Sequence, residues 1–290
     1  MVIDSQHAKE VGDQALNSEI IRYILVQYDL DASMPWELLF LIIFVGFVLL
    51  LDRNIDSYPP RLLKSKQPRR EIIIVCSLWA IALIMNAFRQ LVLDPFISTT
   101  IAQPVLYELI SLPIISLPFL IMPLYLSLKV DHYSRSELGL IWKSRSTGVV
   151  IFALSFGVVA GAVAFCTGES VVGVTSLSVG ALLLLIYNNA FIEEFYYRGV
   201  IQNRLERVIS QRWSVIVGGF IFASSHVLLD YRVLANNGGL ISILFALSMQ
   251  ILGGWLLGLI FIKTRTLWPG IICHYLINWM PSILSLLVGS

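Results

Sequence analysis

The sequence predicts an all-α, polytopic transmembrane helical bundle of about eight spans, and three observations support this fold class. Hydrophobic residues make up 57% of the 290-residue chain, and charged residues make up 13%. The mean hydropathy is +0.79, and soluble domains carry about a quarter charged residues. Hydropathy also divides the chain into apolar stretches near the ~20 residues that cross ~30 Å of hydrocarbon. These stretches are 34–51, 71–88, 104–128, 147–166, 177–198, 213–231, 240–262 and 267–287.

The spans and the segments outside them divide the chain into three parts. Residues 1–33 are mixed in character and mildly acidic, and they resemble no signal peptide. We expect a polar N-terminal tail there, either loosely ordered or forming a short helix on the membrane surface. Residues 34–176 are expected to form N-terminal membrane helices. Residues 177–287 are expected to form a membrane core that carries the catalytic candidates.

Net charge and cysteine content exclude some classes of partner and site. The formal net charge is +1 and no long basic run occurs, which excludes nucleic acid as a partner. The three cysteines have no metal-binding or redox spacing. We interpret those inside apolar segments as small core residues. The expected partners are membrane lipid and a peptide or membrane-protein substrate.

The basic residues between the spans predict an orientation. Lysine and arginine concentrate in 52–70, 129–146, 198–212 and 263–265. The alternate connections carry one basic residue or none. The positive-inside rule therefore places the odd-to-even connections in the cytoplasm and both termini outside.

Ionisable residues interrupt three of the last four spans. The fifth span contains Glu193, Glu194 and Arg198, and the sixth and eighth contain His226 and His274. A charged group in hydrocarbon costs roughly 2.5–3.5 kcal/mol on insertion scales, so such residues are rare without a function. They indicate a polar site inside the membrane. The alternative is a structural polar cluster that holds the helices together.

The spacing of these residues along each helix suggests how they are arranged. Glu194 and Arg198 are four positions apart, so they share a helix face and can form an ion pair. Glu193 is turned about 100° away and can face a different cavity. Adjacent carboxylates with unlike surroundings titrate differently, which suits one to act as a base. Phe222 and His226 repeat the four-residue interval.

A group of glutamate, histidine and asparagine side chains suggests hydrolysis by general-base catalysis. A carboxylate can take a proton from water, and the resulting hydroxide can attack a carbonyl carbon. Imidazole and carboxamide groups such as those of His274 and Asn278 can stabilise the oxyanion that develops. Ser224 and Ser225 precede His226, but adjacent helical residues diverge, so a serine nucleophile is disfavoured.

Zinc catalysis is a second interpretation of the same residues. His226, His274 and a glutamate could ligate zinc. No His-Glu-x-x-His sequence fixes two ligands on one helix, and water activation by glutamate explains the residues equally well. We therefore expect no cofactor and no metal site, with zinc as the alternative.

Three ordered motifs resemble the CPBP family of CAAX proteases and bacteriocin-processing enzymes. They are Glu193-Glu194-x-x-x-Arg198, Phe222-x-x-x-His226 and His274-x-x-x-Asn278, on separate apolar segments. Each motif alone is weak, but together and in this order they are fairly specific. The resemblance covers roughly residues 180–285.

The resemblance implies a role for each matching position. Glu193 corresponds to the catalytic glutamate that activates water, and His226 to the histidine that acts on the same water. Glu194 and Arg198 match the supporting acidic and basic positions. The resemblance thus implies an intramembrane glutamic protease.

The resemblance also implies roles in binding. His274 and Asn278 match the pair thought to bind the oxyanion. We assign Phe222 and Tyr197 to substrate binding. The resulting expectation is an intramembrane endopeptidase that hydrolyses a peptide bond of a membrane-associated peptide or protein.

Two other functions fit a polar cavity in the membrane. One is a non-catalytic bacteriocin-immunity or regulatory protein that binds a peptide or membrane partner in the same cavity. The other is a transporter, which usually shows an inverted repeat that this sequence lacks. For the protease we expect an integral protein of the bacterial cytoplasmic membrane, with its active site toward the cytoplasm.

Overall fold

The computed structural model describes residues 34–54, 62, 64–93, 112–142, 147–166, 186–235 and 239–288. The N-terminal tail and the first part of the fifth predicted span lie outside these residues. In the described part of the chain every regular element is a helix, and no strand occurs. The predicted all-α class is therefore confirmed there.

Eight helices follow one another in these ranges. We number them α1 (Met34–Asn54), α2 (Pro68–Leu93), α3 (Leu112–Val130), α4 (Thr147–Cys166), α5 (186–208), α6 (Gln211–Ala235), α7 (Gly239–Thr264) and α8 (Trp268–Val288). The helices match the predicted spans in order.

Four helices are long and apolar enough to cross a membrane among the residues described. They are Pro68–Leu93, Leu112–Val130, Thr147–Phe165 and Ile243–Thr264. Helix α5 differs because Glu193, Glu194 and Arg198 lie within six positions of one another. The count of eight spans stays a prediction.

Helix α5 extends beyond the predicted end of its span. The prediction ends the span at Arg198, whereas the helix continues to Val208. The added turns carry Arg204, whose side chain has no solvent exposure and pairs with acidic residues of neighbouring elements. These ion pairs allow a charged segment to remain a packed helix, which hydropathy alone does not detect.

Glycines allow two pairs of helices to approach closely. In the α6–α7 pair, a Cβ on Gly254 would lie 2.7 Å from Cα of Gly219. In the α4–α8 pair, a Cβ on Gly161 would lie 2.6 Å from the carbonyl oxygen of Leu276. Small residues at such positions are typical of membrane helix contacts. Because α4 precedes residue 177 and α8 follows it, the two predicted membrane parts pack directly against each other.

A buried ionic network closes one end of the bundle. The Arg204 guanidinium contacts the Glu71 carboxylate at 2.7 Å and the Asp131 carboxylate at 2.6 Å. Glu71 also accepts a hydrogen bond from the Tyr133 hydroxyl at 3.0 Å. This network joins α2, α5 and the loop after α3. We call the end of the bundle that contains Glu71, Asp131 and Arg204 the basic end.

The loop after α3 is fixed to the same end by its backbone. Gly139 has φ +70°, a conformation that favours glycine, and a Cβ there would lie 2.7 Å from the Phe261 ring. Its carbonyl accepts a hydrogen bond from the Leu267 N–H at 2.9 Å. Arg265, in the turn between α7 and α8, donates two hydrogen bonds of 2.6 Å to Glu206 of α5. The turn between α7 and α8 is thereby held against α5 and the loop.

Candidate active site

The two adjacent glutamates lie in a short α-helical turn between two wider turns of α5. The α-helical turn is Ile192–Glu194, and the π-helical segments on either side are Ile186–Phe191 and Phe195–Gln202. Such i→i+5 segments are rare and frequently occur at functional sites. Glu193 and Glu194 therefore lie directly beside a change of helical pitch.

Glu194 belongs to a buried charge cluster on α5, α7 and α8. Its side chain is 1% exposed, and Oε1 lies 3.2 Å from the Arg198 guanidinium. The same oxygen is 2.9 Å from Nδ1 of His274, which therefore donates its N–H to it. Through its other terminal nitrogen, Nη2, Arg198 donates a hydrogen bond of 3.4 Å to the Gly254 carbonyl. The predicted ion pair is present, and it orients the His274 ring.

Glu193 faces two imidazoles. Its Oε2 lies 3.7 Å from Nε2 of His226 and 3.9 Å from Nε2 of His274. These distances exceed a direct hydrogen bond and suit a water shared among the three groups. The Glu193 side chain is 27% exposed, against 1% for Glu194. Of the two carboxylates, Glu193 is the one that solvent can reach.

The protonation of His226 follows from its backbone contact. Nδ1 lies 2.9 Å from the Phe222 carbonyl oxygen, and a carbonyl can only accept a hydrogen bond. Nδ1 therefore carries a proton. In the neutral ring, Nε2 is then an acceptor directed at Glu193. The four-residue interval predicted from the sequence thus fixes the tautomer of His226.

Phe222 lies beneath the imidazoles. Its ring centroid is 4.4 Å from that of His226, and the Arg198 guanidinium lies 4.4 Å from the same centroid on the ring face. The side chain is 3% exposed. Phe222 supports the orientation of Arg198 and His226, and it is not among the described residues that line the pocket. We therefore interpret it as a supporting residue, and the substrate contact expected from the sequence stays a prediction.

The Tyr197 hydroxyl belongs to a chain of hydrogen bonds beside His226. Its hydroxyl lies 2.6 Å from Ser225 Oγ. The Ser225 hydroxyl donates to the Phe222 carbonyl at 2.6 Å. Ser225 must therefore accept from Tyr197, which leaves Tyr197 without a free proton to donate. Tyr197 still lines the pocket through its ring.

A pocket open to the exterior borders Glu193 and His226. The empty space within it and at its mouth, open solvent included, is about 660 Å³. Its walls come from α2, α3, α5 and α6, and most of them are apolar. The lining residues are Met85, Asn86, Phe88, Arg89, Leu93, Ile114, Ile115, Phe119, Ile192, Glu193, Tyr197 and His226. This composition suits a peptide with apolar side chains.

The pocket lies away from the basic end. Met85 follows Glu71 by 14 positions on α2, which is about 21 Å of helix at 1.5 Å per residue. Glu193 precedes Arg204 by 11 positions on α5. The basic end is the end predicted to be cytoplasmic, and the pocket lies at a distance from it. These positions therefore do not support the expectation that the active site faces the cytoplasm.

The Asn278 side chain forms no hydrogen bond with the five site residues that the structure brings together. It lies one turn after His274 on α8 and is partly exposed. The structure thus brings together Glu193, Glu194, Arg198, His226 and His274. A role for Asn278 stays a prediction from the motif.

The first four spans contribute residues that the motifs do not reveal. Asn86 and Arg89 of α2 line the pocket, and Asn86 donates a hydrogen bond of 2.8 Å to the Ser225 carbonyl. The sequence signal for Asn86 is a polar residue inside an apolar span. That signal also fits a contact between helices, so it does not separate the two roles.

Metal binding depends on three or more converging ligands. Among the described residues, no group of three or more histidine, cysteine, aspartate or glutamate side chains has an arrangement that would hold a metal ion. His274 would have to serve as a ligand through Nε2, because its Nδ1 contacts Glu194. Removal of metal by chelation would test the zinc alternative.

One protein family matches part of the chain. Residues 175–280 match the family model described as Type II CAAX prenyl endopeptidase Rce1-like. The matched stretch contains all three motifs, so the resemblance inferred from them is confirmed. No significant match was found among curated proteins or among solved structures. The match and the apolar helices together support a membrane protein of a protease class.

Proposed function

We propose that this protein is an intramembrane endopeptidase that hydrolyses a peptide bond of a membrane-associated peptide or protein with water activated by Glu193. The observation that carries the proposal is the contrast between adjacent carboxylates. Glu193 is partly exposed at the pocket, between two imidazoles, whereas Glu194 is buried against Arg198 and His274. One carboxylate is free to exchange a proton with water, and the other is held by fixed partners.

Glu193 and His226 are proposed to hold the attacking water. Both groups present acceptors, Oε2 and Nε2, so one water can donate a hydrogen to each. The lone pairs of its oxygen then point toward a substrate carbonyl in the pocket. Glu193 takes a proton as the oxygen attacks the carbonyl carbon. When the C–N bond breaks, the Glu193 carboxylic acid returns that proton to the leaving amine, and one water has been consumed.

His274 is proposed to stabilise the oxyanion, as the motif implies. Its Nδ1–H is already committed to Glu194. To donate through Nε2 as well, the ring must be an imidazolium. Glu194 fixes the orientation of the ring, because it contacts both His274 Nδ1 and the Arg198 guanidinium. Asn278 is proposed as the second member of the pair.

The substrate class is proposed from the family and the pocket. The matching family is named for endopeptidases that act on prenylated CAAX sequences. In this chain, the apolar walls formed by residues such as Met85, Phe88 and Ile115 fit a membrane-embedded peptide segment. Cleavage of a membrane-associated peptide or protein is therefore the proposed reaction, with a prenylated substrate as one case.

The proposal is tested by comparing peptides from cells that carry wild type or Glu193→Gln, matched for expression. A new peptide end that appears with wild type and not with Glu193→Gln would support proteolysis and identify the substrate. Arg212→Gln, an exposed change outside the site, is the control and should give the wild-type profile. Equal profiles for wild type and Glu193→Gln, with the cellular phenotype retained by both, would favour the non-catalytic binding protein.

A chelation experiment separates glutamate catalysis from zinc catalysis. The purified protein is treated with EDTA and with 1,10-phenanthroline and assayed on the peptide found above. Unchanged cleavage supports water activation by Glu193 alone. Loss of cleavage that added Zn²⁺ restores would support a metal held by His226, His274 and Glu193.

A further inference from the structure

A residue of the pocket lining can add an N–H donor to the His274 and Asn278 pair proposed above. An oxyanion is stabilised by preorganised donors about 2.7–3.1 Å from its oxygen. Glu193 is an acceptor, and Nε2 of neutral His226 is an acceptor as well. The Tyr197 hydroxyl proton is committed to Ser225, because Ser225 donates to Phe222. None of these three groups offers a donor in the state proposed to bind water.

Asn86 is a carboxamide at the pocket wall with one donor already anchored. Its Nδ2 donates to the Ser225 carbonyl at 2.8 Å, next to His226 in the chain. A carboxamide has two N–H donors, so the second remains for another acceptor. The bond to Ser225 limits rotation of the amide. Asn86 is therefore anchored at one end while it lines the same pocket as Glu193 and His226.

Building on the proposed function, we propose that Asn86 of α2 is a catalytic residue that donates its second carboxamide N–H to the substrate carbonyl and to the oxyanion formed from it. This assigns part of the active site to a helix outside residues 175–280, the range that matches the family. The apolar pocket wall and the oxyanion donor then come from the same helix. Movement of α2 relative to α6 would change both substrate binding and catalysis.

Trp79 provides a matched control on the same helix. Its Nε1 donates to Ser224 Oγ at 2.9 Å, so it also joins α2 to α6 by one hydrogen bond. Unlike Asn86, it is not among the described residues that line the pocket. If Asn86 merely joins the two helices, Asn86→Leu and Trp79→Phe should have similar effects on turnover. If Asn86 donates to the substrate, only Asn86→Leu should change turnover.

The experiment uses the purified full chain in lipid nanodiscs. The probes are quenched-fluorescence peptides, each with an apolar segment of about 20 residues and a randomised flanking sequence. For a peptide that wild type cleaves, Asn86→Leu should lower kcat by about 10²–10³, the usual loss for one oxyanion donor. KM should change much less. Trp79→Phe should retain the wild-type kcat.

A second readout separates an oxyanion donor from a structural contact. A peptide aldehyde forms a tetrahedral hydrate that resembles the intermediate, and the matching peptide alcohol does not. Asn86→Ala and Asn86→Leu should weaken inhibition by the aldehyde while leaving inhibition by the alcohol nearly unchanged. A contact between helices would affect both inhibitors alike, and this result would overturn the role of Asn86.

Other outcomes are also informative. If wild type cleaves a probe and Asn86→Leu retains its kcat, the inference fails while the proposed function stands. If kcat and the thermal unfolding midpoint fall in parallel for the variants at both Asn86 and Trp79, Asn86 is a helix contact. If wild type cleaves no probe and no cellular peptide, the proposed function fails and this inference fails with it.

Discussion

Glu193 and Glu194 are neighbours in the chain and have opposite surroundings. Glu193 is 27% exposed and faces Nε2 of His226 at 3.7 Å, whereas Glu194 is 1% exposed and contacts His274 at 2.9 Å. A rotation of about 100° between consecutive helical residues separates them. Two identical side chains can therefore differ in function, since one meets the pocket and the other meets fixed charges.

Removing the partner of Glu194 should destabilise the fold. We expect Arg198→Met to lower the free energy of unfolding by about 3–5 kcal/mol, because it leaves a buried carboxylate uncompensated. The double variant Glu194→Gln/Arg198→Met should recover part of that loss. Thermal unfolding in detergent measures both. A double variant less stable than Arg198→Met would contradict this account of the pair.

Arg204 should be similarly important at the basic end. Its side chain has no exposure and pairs with Glu71 and Asp131, so Arg204→Met should cost about 3–5 kcal/mol of unfolding free energy. Arg204→Lys should cost less, because it keeps the positive charge. It should still cost something, because lysine lacks the forked geometry of the guanidinium. As a control, Arg212→Met removes an exposed pair with Asp52 and should cost at most about 1 kcal/mol. Equal stability of the Arg204→Met and Arg212→Met variants would refute the prediction.

Glu137 should make stability depend on pH. Burial acts to raise the pKa of this carboxyl, but hydrogen bonds from Ser134 and Arg207 outweigh burial and hold the pKa below its ordinary value. A lowered folded-state pKa stabilises the fold above the unfolded-state pKa, and this contribution is lost as the pH falls through the folded value. The unfolding midpoints of wild type and Glu137→Gln should therefore differ most near neutral pH and converge in acid. Thermal scans from about pH 7 to about pH 3.5 measure this, and a constant difference would contradict it.

The side on which the pocket opens can be measured by cysteine labelling. The loop charges predict a cytoplasmic basic end, and the pocket lies about 20 Å further along α2. In a chain whose three cysteines are replaced, Leu93→Cys should react with an impermeant maleimide added outside intact cells. Ser136→Cys, in the exposed loop at the basic end, should react after permeabilisation. The reverse pattern would place the pocket toward the cytoplasm.

Local spacing was sufficient to predict part of the site. Glu194 and Arg198 form the ion pair that their four-residue interval predicts, because that interval places two side chains on one helix face whatever surrounds the helix. The same applies to Phe222 and His226, whose rings are 4.4 Å apart. The same interval places His274 and Asn278 on one face of α8, but which residues of other helices Asn278 contacts depends on how α8 packs.

The sequence by itself determined the helical membrane class, the order of the helices and the three motifs, since composition and periodicity are properties of neighbouring residues. Only the tertiary structure decided which distant residues meet. Asn86 reaches Ser225 across 139 positions, and Arg204 reaches Glu71 across 133. Such contacts depend on helix packing, which glycines such as Gly219 and Gly254 permit. Hydropathy records how apolar a helix is and does not record which helix its polar residues will face.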